Sequence, residues 1–405
     1  MPRNLVIQDV RLLDPGFGRV GSSILIRDGV IAEIDPHQDH ACDQTEIIEG
    51  RGGLLTPGLI DIHTHGIEQH LYETCPEDLI GGVGSVARYG VTSVLPTLYR
   101  VLDEQSLEHL ATLAGAAGRC QGASVPGFHL EGPFLAIAGA GAHTRDADMG
   151  LLDAILAAAD RRVAAMSVSP ETPGILPVIE RLTDEGVSVF ITHTRATAEQ
   201  TQAAIDAGAR HATHFYDVFP VPEETDPGVR PVGAVEAILA DRRVSVDFIA
   251  DGIHVHPMAI RAAVAAKGPS GVLLITDSNL GAGLPDGVYD SPWGYQIKVS
   301  TDNATRIHDA DHPHHGLLAG SNLTMDQGMR NLLTWLDLPA HEVWAMGTRN
   351  PAELLGLNGK GRIRAGSDAD LVLWDDSTNQ LTVAAVWVGG ECVYDRKTTS
   401  TGKPS

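Results

Sequence analysis
The stretch "LLTPGLIDIHTH" runs from Leu54 to His65. Its apolar residues, barely interrupted, end in two histidines separated by one position. A run of this kind reads as a strand buried on both faces. The side-chain period of two in a strand puts His63 and His65 on the same face. The fold then turns on how often the chain repeats this pattern of an apolar run ending in polar groups. Seven more runs follow: "VTSVLPTL", "SVPGFHLEG", "RVAAMSVSPE", "VSVFITHT", "HATHFYD", "VSVDFIAD" and "GVLLITDS". Helical segments rich in Ala, Leu and Glu lie between them, among them "GLLDAILAAADRR", "GILPVIERLTDEG" and "ATAEQTQAAIDAG". Strand alternating with helix argues for a parallel sheet, and eight units argue for an α/β fold closed as a (β/α)8 TIM-like barrel over residues 54–356.

Both ends of the chain have another rhythm. "NLVIQDVRLLD" and "GSSILIRDGVIAEID" near the start, and "GRIRAGSDADLVLWDD" and "AAVWVGGECVYD" near the end, are short apolar runs punctuated by Gly, Asp and Pro. They read as antiparallel β-structure. Residues 1–53 with 357–405 are therefore expected to form one small β-sandwich subdomain built from both termini.

Composition bounds the function. Hydrophobic content of 43% and charged content of 20% fit an ordinary globular protein. No apolar run approaches the ~18 residues of a membrane span. The N-terminal "MPRNLVIQDVRLLDP" lacks the apolar core of a signal peptide, so a cytoplasmic location is expected. Cys42, Cys75, Cys120 and Cys392 are widely spaced and form no CxxC pair, which reads as reduced structural thiols. A formal charge of −23 argues against nucleic acid and anionic membranes as partners. A small-molecule substrate remains.

In a barrel of this type, the residues after the strands gather at one mouth. Here they are His63 and His65 after the first strand, Glu131 after the third, His193 after the fifth and His214 after the sixth. His254 follows the seventh strand and Asp277 ends the eighth. One histidine after a strand is ordinarily a hydrogen-bonded core or loop group. Ligand-type residues at the ends of several independent strands are a different matter. Together they match the nitrogen and oxygen donors that a borderline divalent cation prefers. "HDADHPHH" (His308 to His315) is also histidine-rich, but it sits in an irregular stretch after the eighth strand and reads as a solvated loop.

These residues carry a resemblance. "PGLIDIHTHG" is similar to the first-strand signature of the amidohydrolase superfamily. "HLEGPF", "ATHFYD", "IADGIHVHP", "AGLPDGVY" and "LAGSNLTMDQGMRNL" together resemble the N-acetylglucosamine-6-phosphate deacetylase family over nearly the whole chain. The resemblance implies that Glu131, His193 and His214 are the principal metal ligands. It implies that His63 and His65 belong to a second metal position, with Glu131 bridging. One or two ions are expected, Zn²⁺ first, with Fe, Mn or Co as alternatives. Asp277 matches the catalytic carboxylate, His143 a group that contacts the acyl group, and His254 a substrate-contacting histidine. The resemblance further implies a homodimer and an N-acyl amino sugar as substrate.

Elementary chemistry agrees. A divalent cation lowers the pKa of bound water toward about 7 and supplies a nucleophile for an amide carbonyl. One carboxylate, Asp277, serves as base and then as acid because the two proton transfers come in sequence. The chain has no lysine before Lys267, so a carboxylated lysine at the fourth strand is unavailable as a metal bridge, and Glu131 is the natural substitute. The chain departs from the family after His214. Asp217 stands where the family has Asn, and Thr225 where it has an arginine that holds the sugar phosphate. A carboxylate close to a phosphate is unfavourable even in a screened site. Arg195, two residues after His193, and Arg230 are candidate anion clamps. Tyr216 is a candidate for lining the sugar pocket. The expected reaction is removal of the acetyl group from an N-acetylamino sugar, N-acetylglucosamine-6-phosphate or a close relative. The alternative is deacylation of a non-phosphorylated or carboxylate-bearing N-acyl compound.

Overall fold
The eight apolar runs become eight parallel strands: Leu59–Thr64, Val91–Leu98, Phe128–Glu131, Val163–Val168, Ser188–Ile191, His211–Ala212, Ser245–Ile249 and Val272–Ile275. The computed structural model describes residues 4–36, 45–101, 103–139, 142–224, 226–300, 303–377 and 380–399. Cys42 and Thr225 lie outside the described residues. Each barrel strand pairs in parallel with the next in chain order. At the mouth, the first and eighth strands are joined by backbone bonds. Asp277 N–H donates to His63 O at 2.9 Å, and His65 N–H donates to Ser278 O at 2.8 Å.

Neighbouring residues on these strands go to opposite sides, and both sides are buried. Ile60, Leu95, Phe190, Ile249 and Ile275 fill the barrel interior. Leu59, Val94, Val189, Phe248 and Leu274 pack outward against the helices. This explains why the strands read as continuous apolar runs. Each such side chain contributes about 1.5–3 kcal/mol by leaving water. The surrounding helices follow the 3.6-residue period. Ile175–Asp184, for example, buries Ile175, Val178, Ile179 and Leu182 on one stripe. Capping boxes start two of them, Asp103 with Ser106 for Glu104–Ala117 and Thr197 with Gln200 for Ala198–Ala207.

A second sheet takes strands from both termini, in the spatial order Glu391–Asp395, Thr382–Val388, Leu371–Asp375, Thr45–Pro57, Asn4–Asp14, Ile24–Arg27 and Val30–Ile34. It is mixed, where the sequence suggested an antiparallel unit. Asn4–Asp14 and Thr45–Pro57 run parallel, because the hairpin between them occupies the far edge of Asn4–Asp14. Thr45–Pro57 stays in this sheet to its end, and Gly58 alone separates it from the first barrel strand. Gly58 sits against Thr92, where a Cβ would meet Oγ1 at 2.0 Å.

The stretch after the eighth barrel strand differs from expectation. Instead of being irregular throughout, it forms a three-stranded antiparallel sheet, Gly287–Asp290, Gln296–Ser300 and Asn303–Ile307. Ile297, Val299 and Ile307 are buried there with Leu280 and Ala319. The alternation in "QIKVS" supplies the apolar face, and the turn "SPWGY" hides it from a simple reading. The histidine-rich segment from His308 to His315 is mostly exposed. No described helix is long and apolar enough to cross a membrane.

Candidate metal centre
Glu131 is the hub of the barrel mouth. Its Oε1 lies 3.1 Å from His193 Nε2 and 3.2 Å from His214 Nε2, and its Oε2 lies 3.3 Å from His65 Nε2. Asp277 Oδ1 faces the same space, 3.3 Å from His65 Nε2 and 3.5 Å from His63 Nε2. Two overlapping groups have the spacing of metal donors: His63, His65 and Asp277, and His63, Glu131 and His214.

The opposite ring nitrogens explain why every Nε2 faces inward. His65 Nδ1 donates to Thr97 O at 3.2 Å, His193 Nδ1 to Ile137 O at 3.1 Å and His214 Nδ1 to Asp217 O at 3.3 Å. A carbonyl can only accept, so each Nδ1 carries a proton and each Nε2 is the nitrogen left to face Glu131, the one a metal would take. His63 reaches the same state by a relay. Thr213 Oγ1 donates to Asp247 Oδ2 at 2.9 Å and therefore accepts from His63 Nδ1 at 2.8 Å. His63 Nε2 is buried without a hydrogen-bond partner. A buried lone pair left unpaired costs about 1–3 kcal/mol, and a cation between the carboxylates would satisfy it. The donor set therefore fits a divalent metal.

Electrostatics supports the same point. Burial holds the His63 pKa well below its ordinary value, so the ring is neutral. Burial alone would raise the Glu131 pKa. Donation from His193, His214 and His65 outweighs it and keeps the carboxylate ionised. Burial would lower His65 and His214, but their bonds to Glu131, and that of His65 to Asp277, raise both to about 10. In the metal-free protein these two rings are cations bound to Glu131.

The backbone also bends to make this site. His193, His214 and Asp277 have φ of +48°, +35° and +46°. The left-handed region is costly for such residues and persists where the surroundings enforce it. Here Ile137 N–H donates to His193 O and Ser321 N–H to Asp277 O, both at 3.1 Å.

The donors open onto a cavity of about 200 Å³, whose wall also includes Tyr99, Asp217, His254, Trp293 and Tyr295. His254 Nδ1 lies 2.6 Å from Asp251 Oδ2. Four expected substrate contacts do not line this cavity. His143 is exposed and borders a neighbouring cavity that shares Tyr99 and Trp293 with the first. Arg195 is exposed, its backbone N–H held by Glu171 Oε1 at 2.7 Å. Arg230 is paired instead with Glu236 at 2.9 Å, in the open. Tyr216 packs against Phe215 and Phe248.

Sequence reading passed over the supports of the site. Asp247 is fully buried. It accepts from Thr213 Oγ1, His211 Nε2 and the backbone N–H of His214. His129, also buried, bonds Thr97 and Ser167 and is held neutral by burial, its pKa near 3. The available signal was an acid inside the apolar run "VSVDFIAD" and a histidine two before Glu131.

Comparison with known proteins agrees with this geometry. The amidohydrolase family profile matches residues 54–393. The chain is 32% identical to the N-acetylglucosamine-6-phosphate deacetylase of Lysinibacillus sphaericus, over 92% of this chain and 94% of that one. It is 33% identical to the N-acetylgalactosamine-6-phosphate deacetylase of Escherichia coli O157:H7, over 90% and 93%. The structure of a variant Mycobacterium smegmatis N-acetyl-D-glucosamine-6-phosphate deacetylase, in complex with N-acetyl-D-glucosamine-6-phosphate, superimposes with a TM-score of 0.81. That pair shares 28% identity and covers 97% of this chain and 99% of that one. Barrel, donor set and these likenesses agree: the chain belongs to the amidohydrolase family.

Proposed function
We propose that the protein is a metal-dependent hydrolase that removes the acetyl group from an N-acetylamino sugar. The names of its relatives supply the substrate class and make N-acetylglucosamine-6-phosphate the reference compound. The observation that carries the reading is the convergence of four histidine Nε2 atoms on Glu131 and Asp277, with the buried Nε2 of His63 left unpaired.

In this reading Glu131, His193, His214, His63 and His65 hold one or two divalent ions, Zn²⁺ first because the donors are mostly imidazole. A bound ion supplies Lewis acidity and lowers the pKa of water toward about 7. Asp277 takes a proton from the attacking water as the bond to the amide carbonyl carbon forms. It then gives that proton to the departing nitrogen as the C–N bond breaks, leaving acetate and the free amine. Asp251 holds the His254 ring at the cavity wall, where it can orient the sugar. A homodimer is carried over from the resemblance. A cytoplasmic location is supported by the free state of Cys75, Cys120 and Cys392.

The test is acetate release from N-acetylglucosamine and its 6-phosphate by purified protein, with chelator and with added Zn²⁺, Mn²⁺ or Fe²⁺. Release that the chelator abolishes and a metal restores is expected. No release from either sugar with any metal would reject the reading.

A further inference from the structure
The cavity beside the donor cluster is lined, among the described residues, by more acids than free cations. Beyond Glu131 and Asp277, which face the metal position, it contains a third carboxylate, Asp217. The described lining residues include no Lys or Arg. His254 is the one cationic candidate away from the donor cluster, and Asp251 already pairs with it at 2.6 Å. Arg195 and Arg230 are exposed and absent from the described wall. Arg100 borders only the neighbouring cavity, 3.8 Å from Glu73. The molecule as a whole carries a formal charge of −23. A dianion entering this cavity away from the metal position would meet the Asp217 carboxylate.

The same wall suits a neutral sugar. Trp293 and Tyr295 stack with ring centroids 5.8 Å apart and planes 24° from parallel. Both come from the turn between the first two strands of the inserted sheet, and both line the cavity. Trp293 Nε1 is 3.4 Å from Tyr99 Oη, and the Tyr99 ring lies 5.4 Å from that of His65, so the stacked pair is tied to the donor cluster. Aromatic faces of this kind accept the C–H face of a pyranose. An ionised carboxylate only accepts hydrogen bonds, so Asp217 is matched to hydroxyl donors and mismatched to phosphate oxygens.

We infer that this site takes an N-acetylamino sugar with free hydroxyls rather than its 6-phosphate, with Asp217 as the residue that rejects the phosphate and Trp293 with Tyr295 as the sugar platform. The inference rests on the deacetylase reading above.

The experiment compares kcat/KM for N-acetylglucosamine and N-acetylglucosamine-6-phosphate in the metal-loaded enzyme, then in Asp217→Asn and Trp293→Leu. The expected result is a preference of at least about tenfold for the unphosphorylated sugar. Asp217→Asn narrows that ratio by raising kcat/KM for the phosphate, and Trp293→Leu raises KM for both sugars without changing the ratio. A preference for the 6-phosphate, or a ratio unmoved by Asp217→Asn, overturns the inference while leaving the deacetylase reading intact. Hydrolysis of neither sugar overturns both.

Discussion

Single residues carry the chemistry, and two substitutions separate their roles. Asp277 touches the donor cluster through His63 and His65 but is held in place by backbone bonds of its own. Asp277→Asn is expected to fold and to lose about 10²–10⁴-fold in turnover. Metal content measured beside turnover checks it, and a variant with near-normal turnover would remove Asp277 from the mechanism. Asp247 makes no contact with the cavity, yet it fixes His63 through Thr213 and anchors the backbone of His214. Asp247→Ala is expected to weaken metal binding by about 10–100-fold. It also leaves His211 Nε2 without its Asp247 partner in the core, at a cost of about 1–3 kcal/mol. Metal titration and denaturant unfolding read the two effects separately. The His254–Asp251 pair has a pH signature. Burial works to lower the His254 pKa, but the bond and charge of Asp251 raise it overall. The stability this gives is fully present below the unfolded value of about 6.5 and is lost as pH rises through the raised folded value. The gap in unfolding temperature between the native protein and His254→Asn should therefore shrink above neutral pH. A gap that widens there would show that the ring is not held as a cation.

Whole elements decide where those residues sit. Two of the features that matter lie at strand ends, where the chain leaves regular geometry. The turns at His193, His214 and Asp277 have positive φ, and the first barrel strand shifts register with the second between Asp61 and Thr64. Gly58, between the terminal sheet and the barrel, donates its N–H to Asp370 O at 2.9 Å and packs on Thr92. Gly58→Ala is expected to cost about 1–3 kcal/mol through this clash, and more if Thr92 cannot move. Metal affinity of the folded molecule should be unchanged, since Gly58 lies outside the donor network. Thermal unfolding with metal titration of the folded variant tests both halves. The barrel strands and their helices were readable because their period is local. The inserted sheet was not, since its strands are short and its apolar face is visible only once Leu280 and Ala319 are seen to cover it.

At the scale of the molecule, metal, charge and fold are linked. Without an ion, their bonds to Glu131 keep His65 and His214 protonated, so an ion that takes these nitrogens must displace those protons. Metal binding should therefore release protons, and affinity should rise with pH. Chelation should lower the unfolding temperature, and metal at about 100-fold over its dissociation constant should restore about 2.7 kcal/mol. An unfolding temperature indifferent to chelator would argue against a site built at the barrel mouth. The barrel, the histidines and carboxylates at its strand ends and the reaction class could be read along the chain. Hydrophobic period and ligand-type residues are properties of short segments, and eight segments repeated them. "HATHFYDVF", from His211 to Phe219, marks where that legibility stopped. Its two histidines look alike in one dimension, yet His211 is tied to Asp247 in the core while His214 faces Glu131. That Asp217 lines the cavity while Tyr216, Arg195, Arg230 and His143 do not emerges in three dimensions. Which side chain reaches a common space depends on the turn after each strand and on what packs behind it, and those partners come from distant parts of the chain.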